Sequence, residues 1–179
     1  MLMALLAAAL LAIFATTPPE ATPSDAPLRS FSAMRAMADV GTMAKHPHVT
    51  GSAENAVVRD HILRRMEALG MEVSTSTGVI DAKGTKRLNK WSGRNDPPAT
   101  LVNLIGILPG KNRNAPSVVL MSHHDTVWGS PGAADDASGV AASLEVVRAI
   151  RARGQQERDL VMLVTDGEEL GLQGARQFW

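Results

Sequence analysis

Three short clusters combine histidine and carboxylates at spacings that suit metal-assisted hydrolysis. The first is Ser122-His123-His124-Asp125, directly after the apolar run Ser117 to Met121. In an extended chain His123 and Asp125 point to the same side, so one carboxylate can hold the imidazole in a fixed tautomer while its other nitrogen binds metal. His124 points the other way. A His-x-Asp by itself is more often structural than metal-binding. The second cluster is Gly132-Ala133-Ala134-Asp135-Asp136-Ala137-Ser138-Gly139. Its small residues let backbone pass close to an ion, although Asp136 also suits a plain helix N-cap. The third is Asp166-Gly167-Glu168-Glu169. Adjacent carboxylates at a strand end repel one another and need a cation or a raised pKa to coexist, unless the turn is simply solvated. One Glu as ligand and its neighbour as proton shuttle is what metal hydrolysis requires. Taken together, His, Asp and Glu from successive strand ends, without cysteine, describe a hydrolytic zinc site.

The elements that must position these clusters can be read from hydrophobic periodicity. Phe31, Met34, Met37, Ala38 and Val40 to Met43 predict an amphipathic helix over 30–45, ended by His46-Pro47. Ser52 is a good N-cap for a second helix with Val58, Ile62, Met66 and Leu69 on one face, terminated by Gly70. Strands are expected over 71–80, 101–108, 117–122 and 159–165, and a helix through Val140, Leu144, Val147 and Ile150 closes at Gly154. Between the first two strands, residues 81–98 are polar and basic and read as a solvated hairpin or loop. A further helix starts near Leu170. Strand, helix, strand with apolar strands on both sides is the α/β pattern, and such sheets carry their sites beyond the C-terminal ends of strands. The chain ends at Trp179 inside that last helix without a stop signal, which reads as the N-terminal part of a domain.

Composition excludes several classes. Eighteen basic and eighteen acidic residues cancel, so no global charge points to nucleic acid. Cysteine is absent, which removes disulfides, thiolate metal sites and a cysteine nucleophile together. At 179 residues and 45% hydrophobic, the chain can fill one core. Residues 2–15 are an unbroken apolar run, so 1–17 is expected to be a signal peptide or membrane anchor, with a buried helix as the plainer alternative. Residues 18–29, rich in proline and small polar residues, read as a linker, leaving 30–179 as the folded part. An exported or membrane-anchored protein is the expectation, with membrane association through the apolar segment.

These motifs resemble peptidase family M28, the zinc aminopeptidases and their relatives. The resemblance runs through "HVTGSAEN" (48–55), "NLIGILPG" (103–110), "HHDTV", "PGAADDASGVAASLEV" and "DGEELGLQGA". The short gap between His123 and Asp135 separates it from the related M20 peptidases, and the apolar N-terminus with "SPGAADDASG" is most similar to the membrane-associated, vacuolar or endoplasmic-reticulum branch. The resemblance implies a three-layer α/β/α sandwich with a mixed central sheet and two Zn2+ ions per complete domain. It implies that His123 binds one zinc, Asp135 bridges both and Glu169 binds the second. Glu168 would be the general base and Asp125 the support of His123. The family needs a further Asp and His later in the chain, so residues 1–179 are expected to hold zinc poorly and to be inactive alone. It also implies a peptide or protein substrate cut at its free N-terminus, and a cis peptide bond between Asp135 and Asp136. Alternatives on the same fold are a metal-free receptor or scaffold, a carboxypeptidase and a glutaminyl cyclase. Trp128 and Ala175 stand where Pro and Ser are common, and Trp128 is open to two readings, pocket lining or surface packing.

Overall fold

The computed structural model describes residues 2–178. Helix α1 spans Leu2–Thr16, and all of its residues are exposed. After an irregular stretch, Ser32 caps α2 (Ala33–Met43) by accepting from the Arg35 N–H. Ser52 caps α3 (Ala53–Ala68) in the same way, accepting from the Asn55 N–H. Strand β1 (Glu72–Val79) follows, then α4 (Ala82–Ser92), β2 (Thr100–Leu108) and β3 (Val118–His123). A kinked turn (Ala133–Ala137), non-helical at Asp135 and Asp136, leads into α5 (Ser138–Arg151), followed by β4 (Leu160–Thr165) and α6 (Gln173–Phe178).

Helix α4 corrects the expectation of a loop or hairpin over 81–98. Its signals were the cap Asp81, which accepts from the Gly84 N–H at 2.7 Å, and Gly93, whose left-handed backbone ends the helix. Only Leu88 and Trp91 supply apolar contact to the sheet, and Arg87 lies over the Trp91 ring. Two apolar residues in so polar a segment make a weak period, so tertiary packing decides the helix.

The strands pair in the order β1-β2-β4-β3. The β1–β2 and β2–β4 pairs are antiparallel, whereas β3 and β4 are parallel and joined through α5, as a parallel pair requires. Helices α2, α3 and α5 cover one sheet face, where Val40, Met43, Ile62, Met66, Leu144, Val147, Leu104, Met162 and Val164 form the main core. Truncating a fully buried side chain such as Ile62 or Leu104 to Ala costs about 2–5 kcal/mol. On the other face a smaller cluster of Ile80, Leu101 and Leu170 packs with Leu88 and Trp91 of α4. This is the mixed α/β sandwich that the motifs imply.

The segment read as a linker is pinned to the body. Arg35 donates to the carbonyls of Ser24, Ala26 and Ser30, and Arg148 of α5 donates to those of Leu28 and Ser30. Both arginines converge on the buried Glu145.

Candidate metal centre

Strand register assembles the centre. In the parallel β3–β4 pair His123 stands opposite Thr165, so the residues that follow each strand leave the sheet side by side. The His124 N–H extends the ladder by donating to Thr165 O at 3.0 Å. Chain segments 123–125 and 166–169 are thereby neighbours although they are far apart in sequence.

His123 Nδ1 lies 3.0 Å from the backbone carbonyl of Asp125 and 3.5 Å from its Oδ1. A proton on Nδ1 satisfies both, so Nε2 is the nitrogen whose proton a metal ion would displace. Nε2 faces Asp135 Oδ1 at 3.0 Å and Glu168 Oε2 at 3.8 Å. The Asp125 carboxylate does more than hold the imidazole: it accepts from the N–H groups of Glu168 at 2.9 Å and Glu169 at 3.1 Å. One buried carboxylate thus ties the two strand ends together.

The Asp135–Asp136 peptide bond is cis, as the resemblance implies. Gly132 at the head of this loop has positive φ, and a Cβ there would strike the Thr126 methyl group and the Asp135 carbonyl. Asp136 behaves as the helix cap its position suggests, accepting from the Gly139 N–H at 3.0 Å and from the His123 N–H at 3.3 Å. Asp135 is left free to project, with 77% of its side chain exposed beside the nearly buried His123 ring.

Burial pulls the His123 imidazole down, but the hydrogen bond and charge of Asp125, joined by Asp135, outweigh it and push it up to about 9. Burial raises Asp125, yet its bonds from His123 and the Glu168 N–H hold it below the usual carboxylate range. Glu169 is raised by burial and then by repulsion from Asp135, Asp125 and Glu168. An imidazole nitrogen near mutually repelling carboxylates is the donor chemistry of a divalent cation, which would take the place of the Nε2 proton. Two zinc ligands at 2.0–2.1 Å in a tetrahedron lie roughly 3.3 Å apart, close to the spacing of Nε2 and Asp135 Oδ1. The residues fit the ion, but not as a ready-made cage. Among the described residues no three His, Asp or Glu side chains close into a set that could hold a metal.

Four further residues support the centre. Asp166, fully buried and raised by burial, accepts from Thr50 Oγ1 at 2.9 Å and the Val102 N–H at 3.0 Å. Asn103 accepts from the Asp166 N–H and donates to Gly174 O. Asn55 donates to His124 Nδ1, whose ring in turn reaches Val102 O through Nε2, so a single tautomer satisfies both contacts. Neither Thr50 nor Asn55 carries a sequence signal beyond lying within the first motif, whereas an asparagine inside an apolar strand, as at 103, is a visible anomaly.

The profile of Peptidase family M28 matches residues 103–179. The vacuolar membrane protease of Lodderomyces elongisporus is 33% identical over 144 residues, covering 78% of this chain and 15% of its own length. That of Yarrowia lipolytica is 29% identical over 178 residues, covering 90% and 17%. The chain therefore spans about one sixth of the curated relatives it matches. Among solved structures, a zinc aminopeptidase from Bacillus subtilis superposes with a TM-score of 0.69 at 17% identity, over 85% of this chain and 65% of that one. A glutaminyl cyclase from Bacteroides thetaiotaomicron does so with a TM-score of 0.64 at 23% identity, over 79% and 49%. These likenesses establish the fold. Residues 103–179, which hold the converging strand ends, match peptidase family M28.

Proposed function

We propose that this chain contributes the first half of a two-zinc peptidase centre that hydrolyses peptide bonds at a free N-terminus. The observation that carries this reading is the meeting of His123 Nε2 with Asp135 and Glu168 at adjacent strand ends braced by Asp125. His123 and Asp135 would hold one ion, Asp135 and Glu169 the other. Zinc held there supplies a Lewis acid for the scissile carbonyl and for the attacking water. The protein's own work is positional and protonic. Asp125 keeps the Nδ1 proton in place and aims the backbone of Glu168. Glu168, partly exposed beside Nε2, takes the proton of the attacking water and hands it to the leaving amine. We also infer that 30–179 forms the peptidase portion, and that α1 is an export signal or membrane anchor, since its fully exposed apolar surface is costly in water.

The test is Glu168→Gln in a form of the protein that carries the family's remaining Asp and His ligands. Zinc content is expected to stay unchanged while turnover of aminoacyl-anilides falls roughly 100- to 10,000-fold. Near-normal turnover would remove Glu168 from the reaction. Glu169→Gln is expected instead to lower zinc affinity.

A further inference from the structure

A cavity of about 660 Å³ is lined by none of His123, Asp135, Glu168 or Glu169. Its lining includes Pro47, Val49, the start of α3, Arg94 and Trp128. A second cavity of about 240 Å³ adjoins it. Both are lined by Val49, Gly51, Ser52, Arg94 and Trp128, and the second runs on to Pro97 and Pro98. The two form one open groove, and Trp128 lines both parts of it.

This groove is built onto the metal centre. The His48 N–H donates to Thr126 Oγ1 at 2.9 Å, which clamps the groove's wall to the loop that leaves β3. Trp128 stands three residues beyond Asp125 on that loop, so their Cα atoms are at most roughly 10 Å apart. An extended peptide covers that distance in about three residues. Trp128 is 49% exposed, but its neighbours in the groove are Val49, which is buried, and prolines. Arg94, paired with Asp96 at 2.9 Å, and Glu54 add charged groups to the lining. A concave surface that combines apolar residues with a few polar groups is the composition of a ligand site.

We infer that this groove is a subsite for an aromatic or large aliphatic side chain of the substrate peptide, with Trp128 as its specificity-determining residue. The inference rests on the peptidase reading. A substrate cut at its free N-terminus has all of its remaining chain on the carboxyl-terminal side of the scissile bond, so the side chain bound here lies a few residues into the departing peptide. Trp128 offers a broad face for stacking, while Arg94 and Asp96 can bond the peptide backbone.

The experiment measures binding without hydrolysis. Hexapeptides with leucine first and glycine elsewhere carry a single phenylalanine at position three, four or five, and are titrated by calorimetry into the protein with a chelator present. One phenylalanine position is expected to bind on the order of tenfold tighter than the all-glycine parent. That gain should vanish in Trp128→Ala and largely return in Trp128→Phe, with circular dichroism confirming that both variants fold. No gain at any position, or a gain that survives intact in Trp128→Ala, would overturn the subsite. The peptidase reading is judged apart, by zinc-dependent release of leucine in a form of the protein that carries the family's remaining Asp and His ligands. Its failure beside a Trp128-dependent gain would sink that reading and leave the groove a peptide-binding site.

Discussion

At the scale of single residues, Asp125 carries more of the centre than any proposed ligand. It is buried, it accepts from two successive backbone N–H groups, and it stands beside His123 Nδ1. An asparagine there keeps the shape but turns an NH2 group toward one of these donors, so at least one bond is lost and replaced by a clash of like groups. Asp125→Asn is therefore expected to weaken zinc binding about 10- to 100-fold, the usual effect of losing a support of a metal-bound imidazole. It should also cost about 1–3 kcal/mol of stability, because a buried donor is left unsatisfied. Competition with a zinc chelator and urea unfolding measure the two effects. Wild-type zinc affinity in this variant would show that Asp125 organises only the backbone.

At the scale of elements, the irregular segment before α2 is held by a charged network on α5. Glu145 accepts from the Ser32 N–H at 2.8 Å, Arg35 Nε at 3.1 Å and Arg148 Nε at 2.6 Å. Burial raises this carboxyl, but the bonds from Arg148, Ser32 and Arg35 outweigh it and hold it below the usual carboxylate range. The folded pKa therefore lies below the unfolded one. The resulting stability is present above pH 4.5, the ordinary glutamate value, and is lost as pH falls through the lower folded value. Glu145→Gln leaves two arginines beside a neutral group and is expected to cost about 3 kcal/mol at pH 7. The gap between wild type and variant should narrow as pH drops below that value. Urea unfolding across pH 3 to 7 reads it, and a gap constant over this range would rule the network out as the source.

At the scale of the whole molecule, α1 stands apart. Its 15 residues amount to about 22 Å of helix against a hydrocarbon core of about 30 Å. Among the described residues no helix is long and apolar enough to cross a membrane. The expected outcome is that residues 1–30 export a fused reporter that works only outside the cytoplasm, and that deleting 2–16 abolishes export. A reporter retained inside in both cases would remove the export reading. Much of the remaining architecture was legible in the chain itself, because local physics suffices for it. Ser52 and Gly70 mark helix ends by backbone satisfaction, and alternating or continuous apolar runs mark the strands. The motif residues His123, Asp135, Glu168 and Glu169 stand out in the sequence by type and spacing. The helix over 82–92 was not legible, because two apolar contacts with a sheet face outweigh a polar composition only after that sheet exists. Nor were the bonds of Asp166 with Thr50 and of His124 with Asn55, or the groove around Trp128. Each joins segments tens of residues apart, and such meetings depend on the parallel register of β3 and β4, which places two strand ends together that no local signal connects.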